Sequence, residues 1–289
     1  IIMAVMTVVY LLIAVPNLGS FKAPQTYWTP SESYESITLD FGREITLSRV
    51  YYFGGVDENR PISGKYRILG APDGAVPGTP GKFTHLATIN KLERAIYTWR
   101  YISLPDVKIR YARVLADIPG GTMNEIAFFE KDSKEPVTGY KIIDVDVAGS
   151  TGSGGISGTH GTPENLFDES DTVDYKRTYL SGMIFDEIYH ARTAFEHLHS
   201  MPVYEWTHPP LGKILISLGI AVFGMVPFGW RIVGTLFGAA MIPLLYLFGI
   251  KLFNKRIYGF MSAFLLMFDF MHFGLTRIAT IDVYGTFFV

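Results

Sequence analysis

The hydrophobic positions divide the chain into two parts. Residues 20–210 carry short apolar runs separated by polar and turn residues, whereas residues 211–289 are almost continuously apolar. A turn-rich polar part followed by long apolar stretches is typical of a water-facing domain joined to membrane helices. The pattern therefore predicts a polytopic α-helical membrane protein with an inserted polar domain.

The first uncharged run covers residues 1–15 and predicts a first transmembrane helix over residues 1–16. A spanning helix needs about 20 apolar residues, so we expect residues before Ile1 to complete it. We expect the chain to be a fragment, because it also stops inside an apolar run. A signal-peptide core is the alternative, but no cleavage-like motif of small residues follows the run.

Residues 21–140 predict an antiparallel β-sandwich. Strand-like segments separated by turn signals recur at 37–41, 49–53, 65–69, 111–115 and 124–129. Residues 141–180 are predicted to be a linker and loop, because 144–163 are rich in Gly and Ser. A phosphate-binding loop is the alternative, but the stretch lacks a Gly-Lys-Ser/Thr motif.

Three further apolar stretches cover residues 214–230, 232–250 and 257–276. The strongest basic cluster follows the second stretch and belongs on the cytoplasmic side by the positive-inside rule. Its members are Lys251, Lys255 and Arg256. Gly and Pro residues interrupt the first stretch, so we expect it to lie along the interface or to re-enter the membrane. Residues 181–230 then form an extracytoplasmic loop with juxtamembrane helices, and 231–289 form transmembrane helices. The alternative is that the first stretch spans the bilayer, which would place the acid pair Asp186-Glu187 on the cytoplasmic side.

Composition excludes several function classes. The chain has 289 residues, a formal net charge of −2 and no cysteine. A charge near zero gives no reason to expect a nucleic-acid partner. Without cysteine there is neither a disulfide framework nor a thiolate metal site.

The strongest chemical signal is Phe-Asp-Glu-Ile-Tyr-His at 185–190, followed by Thr-His-Pro-Pro-Leu-Gly-Lys at 207–213. Two adjacent carboxylates, Asp186 and Glu187, begin a short amphipathic helix, which is followed by sequence apolar enough for a membrane helix. Acids at a helix start commonly serve only as caps. Beside a bilayer, the same pair also suits catalysis on a lipid-carried substrate, where a base must accept a proton.

These motifs resemble the first extracytoplasmic loop of the protein O-mannosyltransferase family, lipid-carrier-dependent glycosyltransferases of the GT-C superfamily. The segments GWRIVGTLFGAAMIPLLYLFG and TRIATID are also similar. In TRIATID, Thr276 stands where the family has Ser. Upstream of it, Phe268 stands directly before Asp269, where the family has Leu. The resemblance implies a GT-C-like enzyme of the cytoplasmic membrane with an extracytoplasmic active site. It would transfer a mannose-like sugar from a polyprenyl-phosphate donor to a protein Ser/Thr hydroxyl or a glycan.

Each candidate residue has an expected role in such a transfer. Asp186 is the expected general base, and Glu187 is a positioning or secondary acid. Arg277 is the expected partner of the lipid phosphate, because guanidinium binds phosphate bidentately; a structural pair with Asp282 is the alternative. The other expected substrate-binding residues are His190, His208, Lys213, Arg231, Asp269 and Asp282. Lys213 and Arg231 could instead be interface anchors, and Asp269 could pair with His272.

A divalent metal ion would suit the side chains of Glu187, His190 and His208. Their spacing matches no recognised ligand motif, so no metal and no other cofactor is assigned.

The β domain resembles a discoidin-like jelly roll. The resemblance is carried by Trp28 and by the segments SITLDFG, YRILGAPDG, RYARVLAD and NEIAFFE. It implies binding of sugars or lipid headgroups, and a purely structural insert is the alternative.

Two other function classes remain open. One is a membrane-anchored carbohydrate-binding or sensor protein in which the jelly roll binds the ligand. The other is a transporter or flippase for lipid-linked sugar. Neither needs a base at Asp186, so this residue discriminates between them and an enzyme.

Overall fold

The computed structural model describes residues 1–56, 64–74, 83–90, 92, 95–147 and 161–289. The chain divides into two compact units. One consists of Ile1–Ala23 together with Thr178–Val289, and the other is Pro24–Arg177. Most of the Gly- and Ser-rich stretch predicted as a linker lies outside the described residues.

The unit Pro24–Arg177 is built on an antiparallel sheet. In chain order its strands are β1 (Ser36–Gly54), β2 (Lys65–Ala71), β3 (Thr84–Ile89), β4 (Trp99–Ile118), β5 (Met123–Glu130) and β6 (Lys141–Asp146). The order in the sheet is β3-β2-β4-β1-β5, and β6 also pairs with β1. All of these strand pairs are antiparallel, which confirms the predicted antiparallel β domain.

The strands predicted at 37–41 and 49–53 form one continuous strand, β1. Its register with β4 shifts between Asp40 and Ile45. Within that shift Gly42 has a φ of 73°, which glycine adopts without strain. The strand therefore bends instead of ending, so that its first half pairs with β6 and its second half with β5.

Strand β6 continues the domain beyond the predicted boundary at residue 140. It occupies the start of the predicted linker and pairs with the first half of β1, for example Val145 with Ile37. Strand β3 also has no counterpart among the predicted segments and pairs with β2. Both strands are defined by their partners more than by local alternation, which is why the sequence pattern does not reveal them.

The hydrophobic core lies on one face of these strands. Val50 of β1 and Phe128 of β5 are fully buried in it, together with Trp28 from the segment before β1. Successive side chains in a strand point to opposite faces. Tyr51 and Phe129 therefore lie on the other face of the sheet.

The other unit is helical. Its helices are α1 (Ile2–Ala14), α2 (Glu187–Leu198), α3 (Leu211–Phe223), α4 (Pro227–Phe253), α5 (Arg256–Met267), α6 (Phe270–Leu275) and α7 (Asp282–Phe288). Among the described residues, one helix is long and apolar enough to cross a membrane, namely α4 with 27 residues. Helices α1, α3 and α5 are apolar but shorter.

The first apolar stretch, predicted at 214–230, contributes to two helices. Helix α3 ends at Phe223, the next residue Gly224 has a φ of 82°, and Pro227 begins α4. Glycine after a helix and proline at its first position are the residues that these positions favour. Arg231 therefore lies inside α4, and the predicted boundary between two apolar stretches at this residue is wrong.

The last apolar stretch, predicted at 257–276, is likewise divided. Helix α5 ends at Met267, and the carboxylate of Asp269 accepts the backbone N–H of His272 and so begins α6. This is the hydrogen bond that favours aspartate at helix starts. Asp269 and Arg277 consequently do not share one continuous helix.

Helix α4 is packed closely against its neighbours. A Cβ atom on Gly219 of α3 would collide with the carbonyl oxygen of Gly229 in α4. Glycines at such contacts let helix backbones approach closely. The hydroxyl of Tyr10 in α1 lies 2.9 Å from that of Thr276, in a buried hydrogen bond after α6. These contacts fix the elements around Arg231.

Candidate functional site

The turn before α2 places the two adjacent acids. Phe185 has a φ of 53°, which residues other than glycine rarely adopt, although its side chain is 70% exposed. Asp186 follows, and Glu187 begins α2. The amide of Ile184 donates to Glu187 Oε2 at 2.8 Å, and the amide of Glu187 donates to the carbonyl of Ile184 at 3.2 Å. Glu187 therefore closes the turn with both its side chain and its backbone.

Glu187 is completely buried, and its carboxylate accepts four hydrogen bonds. Oε1 accepts from Arg231 Nε at 2.7 Å and from the amide of Ala279 at 2.9 Å. Oε2 accepts from Arg231 Nη2 at 2.7 Å and from the amide of Ile184 at 2.8 Å. A carboxylate offers about four acceptor sites, so none remains for a substrate or a metal ion.

Arg231 is saturated in the same way. Besides its two bonds to Glu187, Nη1 donates to the carbonyls of Leu18 at 2.9 Å and Tyr179 at 2.7 Å, and Nη2 donates to that of Gly182 at 2.9 Å. A guanidinium has five N–H groups, and all five are used. The predicted substrate-binding role of Arg231 is therefore replaced by a structural one, and interface anchoring is excluded because the side chain is fully buried.

Asp186 has a different environment although it adjoins Glu187. It is partly exposed, and its carboxylate does not cap α2. Over the part of the chain that the structure describes, this carboxylate has no hydrogen bond or ion pair. Its charge acts on His190, one turn further along α2. Of the two acids, Asp186 alone offers a carboxylate that can accept a proton from a bound molecule.

A second cluster of polar residues joins the end of the loop after α2 to the start of α3. Glu205 forms an ion pair with Lys213, and its Oε1 lies 3.1 Å from His208 Nδ1. Lys213 is buried, and its Nζ also donates to the carbonyls of Glu205 at 2.7 Å and His208 at 3.2 Å. The rings of His190 and His208 are 5.6 Å apart and nearly perpendicular. The structure thus brings together the predicted residues His190, His208 and Lys213.

The electrostatics of this group favour a neutral His190. Burial lowers the pKa of His190, and the charges of Asp186 and Glu205 raise it without reversing the shift. The ring is therefore neutral at pH 7. Its Nδ1 is buried and has no hydrogen-bond partner among the described residues. A neutral imidazole carries one donor and one acceptor nitrogen, which suits contact with a hydroxyl group.

Glu205 is the residue that the sequence prediction missed. Burial raises its pKa, but hydrogen bonds from Lys213, Thr207 and His208 outweigh this effect and hold the pKa well below its usual range. The carboxylate is therefore ionised and neutralises Lys213, which removes Lys213 as a free cation for the substrate. The only signal in the sequence is a glutamate three residues before His208.

Arg277 follows α6 in a turn. Its Nη2 donates to the carbonyls of Pro16 and Asn17, both at 2.9 Å, and its guanidinium lies 4.9 Å from the centroid of the Phe273 ring. Within the described ranges Arg277 has no ion pair with a carboxylate, Asp282 included. The predicted alternative in which Asp282 holds Arg277 is therefore wrong for this structure, because carbonyl oxygens hold the guanidinium instead.

The two remaining predicted acids lie on separate elements. Asp269 Oδ1 accepts the amide of His272 at 2.6 Å, so the partner of Asp269 is the backbone of His272 and not its ring. Asp282 is exposed at the first residue of α7, in a groove of about 770 Å³ that Gly212 and Leu211 also line. Asp269 and Asp282 thus lie at the starts of two different helices.

A metal centre finds no support in the described residues, where no group of three or more His, Asp or Glu side chains could hold an ion. Of the three residues that would suit a divalent ion by type, Glu187 already has its acceptor sites filled by protein donors.

Sequence comparison relates the C-terminal part of the chain to a known family. Residues 207–289 match the family described as dolichyl-phosphate-mannose-protein mannosyltransferase. The polyprenol-phosphate-mannose–protein mannosyltransferase of Mycobacterium tuberculosis is 35% identical over 112 residues, which cover 37% of this chain and 22% of that protein. The enzyme of the same name from Mycolicibacterium smegmatis is 31% identical over 111 residues, 36% of this chain and 22% of that protein. The matches agree with the predicted family resemblance over the part of the chain that they cover.

The matched region is short relative to these enzymes. The polyprenol-phosphate-mannose–protein mannosyltransferase of Corynebacterium glutamicum is 33% identical over 82 residues, 28% of this chain and 16% of that protein. The chain therefore spans about a fifth of the length of the curated relatives that it matches.

Two solved structures have a low similarity to part of the chain. A CBM32 domain of AlyQ in complex with 4,5-unsaturated mannuronic acid has a TM-score of 0.29 at 18% identity, covering 36% of this chain and 78% of that one. CpGH89CBM32-6, produced by Clostridium perfringens, has a TM-score of 0.28 at 20% identity, covering 40% of this chain and 83% of that one.

Proposed function

We propose that this protein is a membrane glycosyltransferase, because residues 207–289 match the family described as dolichyl-phosphate-mannose-protein mannosyltransferase. It takes a mannose-like sugar from a polyprenyl-phosphate donor and passes it to a Ser or Thr hydroxyl of a protein acceptor. The names of its curated relatives support both the donor and the acceptor class.

The observation that carries the proposal is the difference in hydrogen bonding between the two adjacent acids. Glu187 has every acceptor site filled inside the protein, whereas Asp186 has a partly exposed carboxylate that the protein does not use. Asp186 is therefore the general base, and Glu187 positions it by closing the turn.

The reaction follows from these positions. The carboxylate of Asp186 accepts the proton of the acceptor hydroxyl, and the acceptor oxygen forms a bond to the anomeric carbon of the sugar. The bond between that carbon and the phosphate oxygen breaks, and the electron pair leaves with the polyprenyl phosphate. Arg277 stabilises the charge on the leaving phosphate. Neutral His190 and the exposed ring of His208 supply hydrogen bonds to the sugar or the phosphate.

The proposed architecture is a polytopic GT-C-like protein of the cytoplasmic membrane. Helix α4 crosses the bilayer, with Lys255 and Arg256 on the cytoplasmic side and the loop that bears Asp186 outside. Helix α3 has 13 residues, which is short for a span and suits an interfacial position. The β domain is a jelly roll inserted on the outer side.

The test is sugar transfer by the full-length protein. Membranes that carry it are incubated with a radiolabelled mannosyl polyprenyl phosphate and an acceptor peptide rich in Ser and Thr. We expect the peptide to become labelled. Membranes that lack the protein are the control and should give no labelled peptide. Binding or translocation of the donor without any labelled acceptor would refute the proposal and favour a binding protein or a flippase.

A further inference from the structure

Tyr179 contacts both arginines of the candidate site. The centroid of its ring lies 4.2 Å from the guanidinium carbon of Arg231 and 5.7 Å from that of Arg277. A cation within about 6 Å of an aromatic centroid is attracted by the negative face of the ring. The Tyr179 carbonyl also accepts from Arg231 Nη1 at 2.7 Å, and its hydroxyl donates to the carbonyl of Arg277 at 2.8 Å. Tyr179 therefore contacts each arginine through its ring and through one hydrogen bond.

The two arginines differ in their charge balance. Glu187 neutralises Arg231 inside the protein. Arg277 has no carboxylate partner among the described residues, and its guanidinium is held by two backbone carbonyls and by aromatic rings, including that of Tyr179. Its Nε is buried and has no hydrogen-bond partner in the part of the chain that the structure describes. Neutral groups thus fix the place of Arg277 and leave its charge available for an anion.

The backbone around Arg277 is held at two points. The Tyr179 hydroxyl binds the carbonyl of Arg277, and Glu187 Oε1 accepts the backbone amide two residues further along at 2.9 Å. Glu187 also closes the turn that carries Asp186. One connected set of contacts therefore runs from Arg277 through Tyr179 and Arg231 to Glu187, which adjoins Asp186.

We propose that Tyr179 is a positioning residue for the transfer reaction, which holds Arg277 at a fixed place relative to Asp186 without touching the substrate itself. This role rests on the proposed function, in which Asp186 acts at the acceptor hydroxyl and Arg277 at the departing phosphate. Both groups act on one sugar at the same time, so their separation has to match the bonds that form and break. Because Tyr179 is uncharged, it sets this separation without cancelling the charge that stabilises the phosphate.

A double-mutant cycle on the full-length protein in detergent tests whether Tyr179 acts through Arg277. Affinity for a mannosyl polyprenyl phosphate is measured by titration for wild type, Tyr179→Leu, Arg277→Ala and the double variant. We expect Tyr179→Leu alone to weaken donor binding about tenfold, a coupling typical of side chains in contact. In the Arg277→Ala background the same change should have no effect, because no guanidinium remains for Tyr179 to hold.

Two further variants separate this role from a general effect on folding. Tyr179→Phe keeps the ring and loses one hydrogen bond, so it should bind the donor within about threefold of wild type and more tightly than Tyr179→Leu. It also carries the cycle if Tyr179→Leu does not fold. Tyr258→Leu is the matched control. This tyrosine of α5 is 45% exposed and packs on Phe253, and its replacement should leave donor affinity unchanged.

Equal losses of donor affinity in both backgrounds would overturn the inference, because Tyr179 would then not act through Arg277. Unchanged affinity in Arg277→Ala would overturn it as well, since no phosphate contact would exist to be positioned. The proposed function is judged separately, by sugar transfer with the wild-type protein. A wild type that transfers no sugar refutes that function, and the binding cycle still decides whether Tyr179 positions Arg277 for the donor.

Discussion

The carboxylate of Glu187 and the guanidinium of Arg231 form a two-point ion pair in which neither side chain has any solvent exposure. Removing two charges from water costs several kcal/mol per ion, and a buried pair offsets this only with good geometry and further hydrogen bonds. Here every donor of one partner and every acceptor site of the other is used. The pair joins α2, α4 and the segment before α7, and so sets the position of Asp186.

Replacing Glu187 with glutamine should destabilise the protein strongly. The variant leaves the Arg231 charge buried without a counterion, which typically costs about 3–5 kcal/mol. Thermal unfolding of the purified protein measures the effect. Arg43→Gln breaks the exposed ion pair of Arg43 with Glu130 and should leave the melting temperature nearly unchanged. Equal melting temperatures for Glu187→Gln and wild type would contradict the structural role.

Replacing Asp186 with asparagine should lower turnover and leave stability nearly unchanged, in contrast to the replacement of Glu187. The side chain makes no hydrogen bond in the described structure, so stability should change by less than about 0.5 kcal/mol. Turnover should fall about a hundred- to ten-thousandfold, because the general base is lost. Donor affinity should be unchanged. Near-normal turnover in this variant would remove Asp186 from the proposed reaction.

Arg277→Lys should weaken donor binding while the protein stays folded. Lysine keeps the charge but loses the planar fork that binds phosphate with two N–H groups. Donor titration on purified variants should show a loss of affinity of about tenfold, the size of one good charge-assisted contact. Asp282→Ala is the matched control, since it does not touch Arg277, and it should leave stability unchanged. Unchanged donor affinity in Arg277→Ala would show that Arg277 does not bind the phosphate and only donates hydrogen bonds to the carbonyls of Pro16 and Asn17.

Single cysteines can report the orientation in the membrane, because the chain has none of its own. Ser200 and Lys255 are both exposed, the first just after α2 and the second just before α5. A membrane-impermeant thiol reagent on intact cells should label Ser200→Cys and spare Lys255→Cys, as the positive-inside rule requires. Labelling of both variants after permeabilisation is the control. The reverse pattern on intact cells would invert the proposed topology.

Stability should depend on pH through Glu125 in the β domain. Burial raises the pKa of Glu125 to about 9 from 4.5, and the neighbouring acids Asp168, Glu169 and Asp171 add to the shift. The folded state then binds one more proton than the unfolded state between these two values, so stability falls as pH rises through this window.

Glu125→Gln should remove this dependence, because glutamine keeps an acceptor for the amide of Glu169 and never ionises. Its melting temperature should exceed that of wild type at pH 8, by the equivalent of at least about 1 kcal/mol, the free energy of one pKa unit. At pH 4 the two proteins should melt together. A wild-type protein whose stability rises from pH 5 to pH 8 relative to the variant would contradict the raised pKa.

Local alternation was sufficient to predict the antiparallel β domain and the apolar helical part. It could not show that 37–41 and 49–53 are one bent strand, because the bulge near Gly42 is defined by pairing with β4. Strand β6 was missed for the same reason. An edge strand is defined by its partner, and a partner distant in sequence leaves no local pattern.

The candidate site was predicted unevenly for a physical reason. Asp186, His190 and His208 carry motif signals, and the structure places them near one another. The sequence could not reveal that Glu187 and Arg231 pair with each other, because the two residues lie on different helices. It also could not show that backbone groups complete the hydrogen bonds of both side chains. Glu205 was missed since its role depends on the path of the chain around the His-Pro-Pro corner, which brings Lys213 back to it.

The turn around Phe185 has a practical consequence for chemical labelling. Glu187 closes this turn from its own side chain and backbone, so the position of residue 186 does not depend on the side chain that residue 186 carries. A cysteine introduced at position 186 would be the sole thiol of the described chain. The hydrogen bonds between Glu187 and Ile184 would keep its backbone in place. Asp186→Cys is therefore a natural attachment site for a thiol-reactive crosslinker, with which an acceptor peptide could be captured at the place where it reacts.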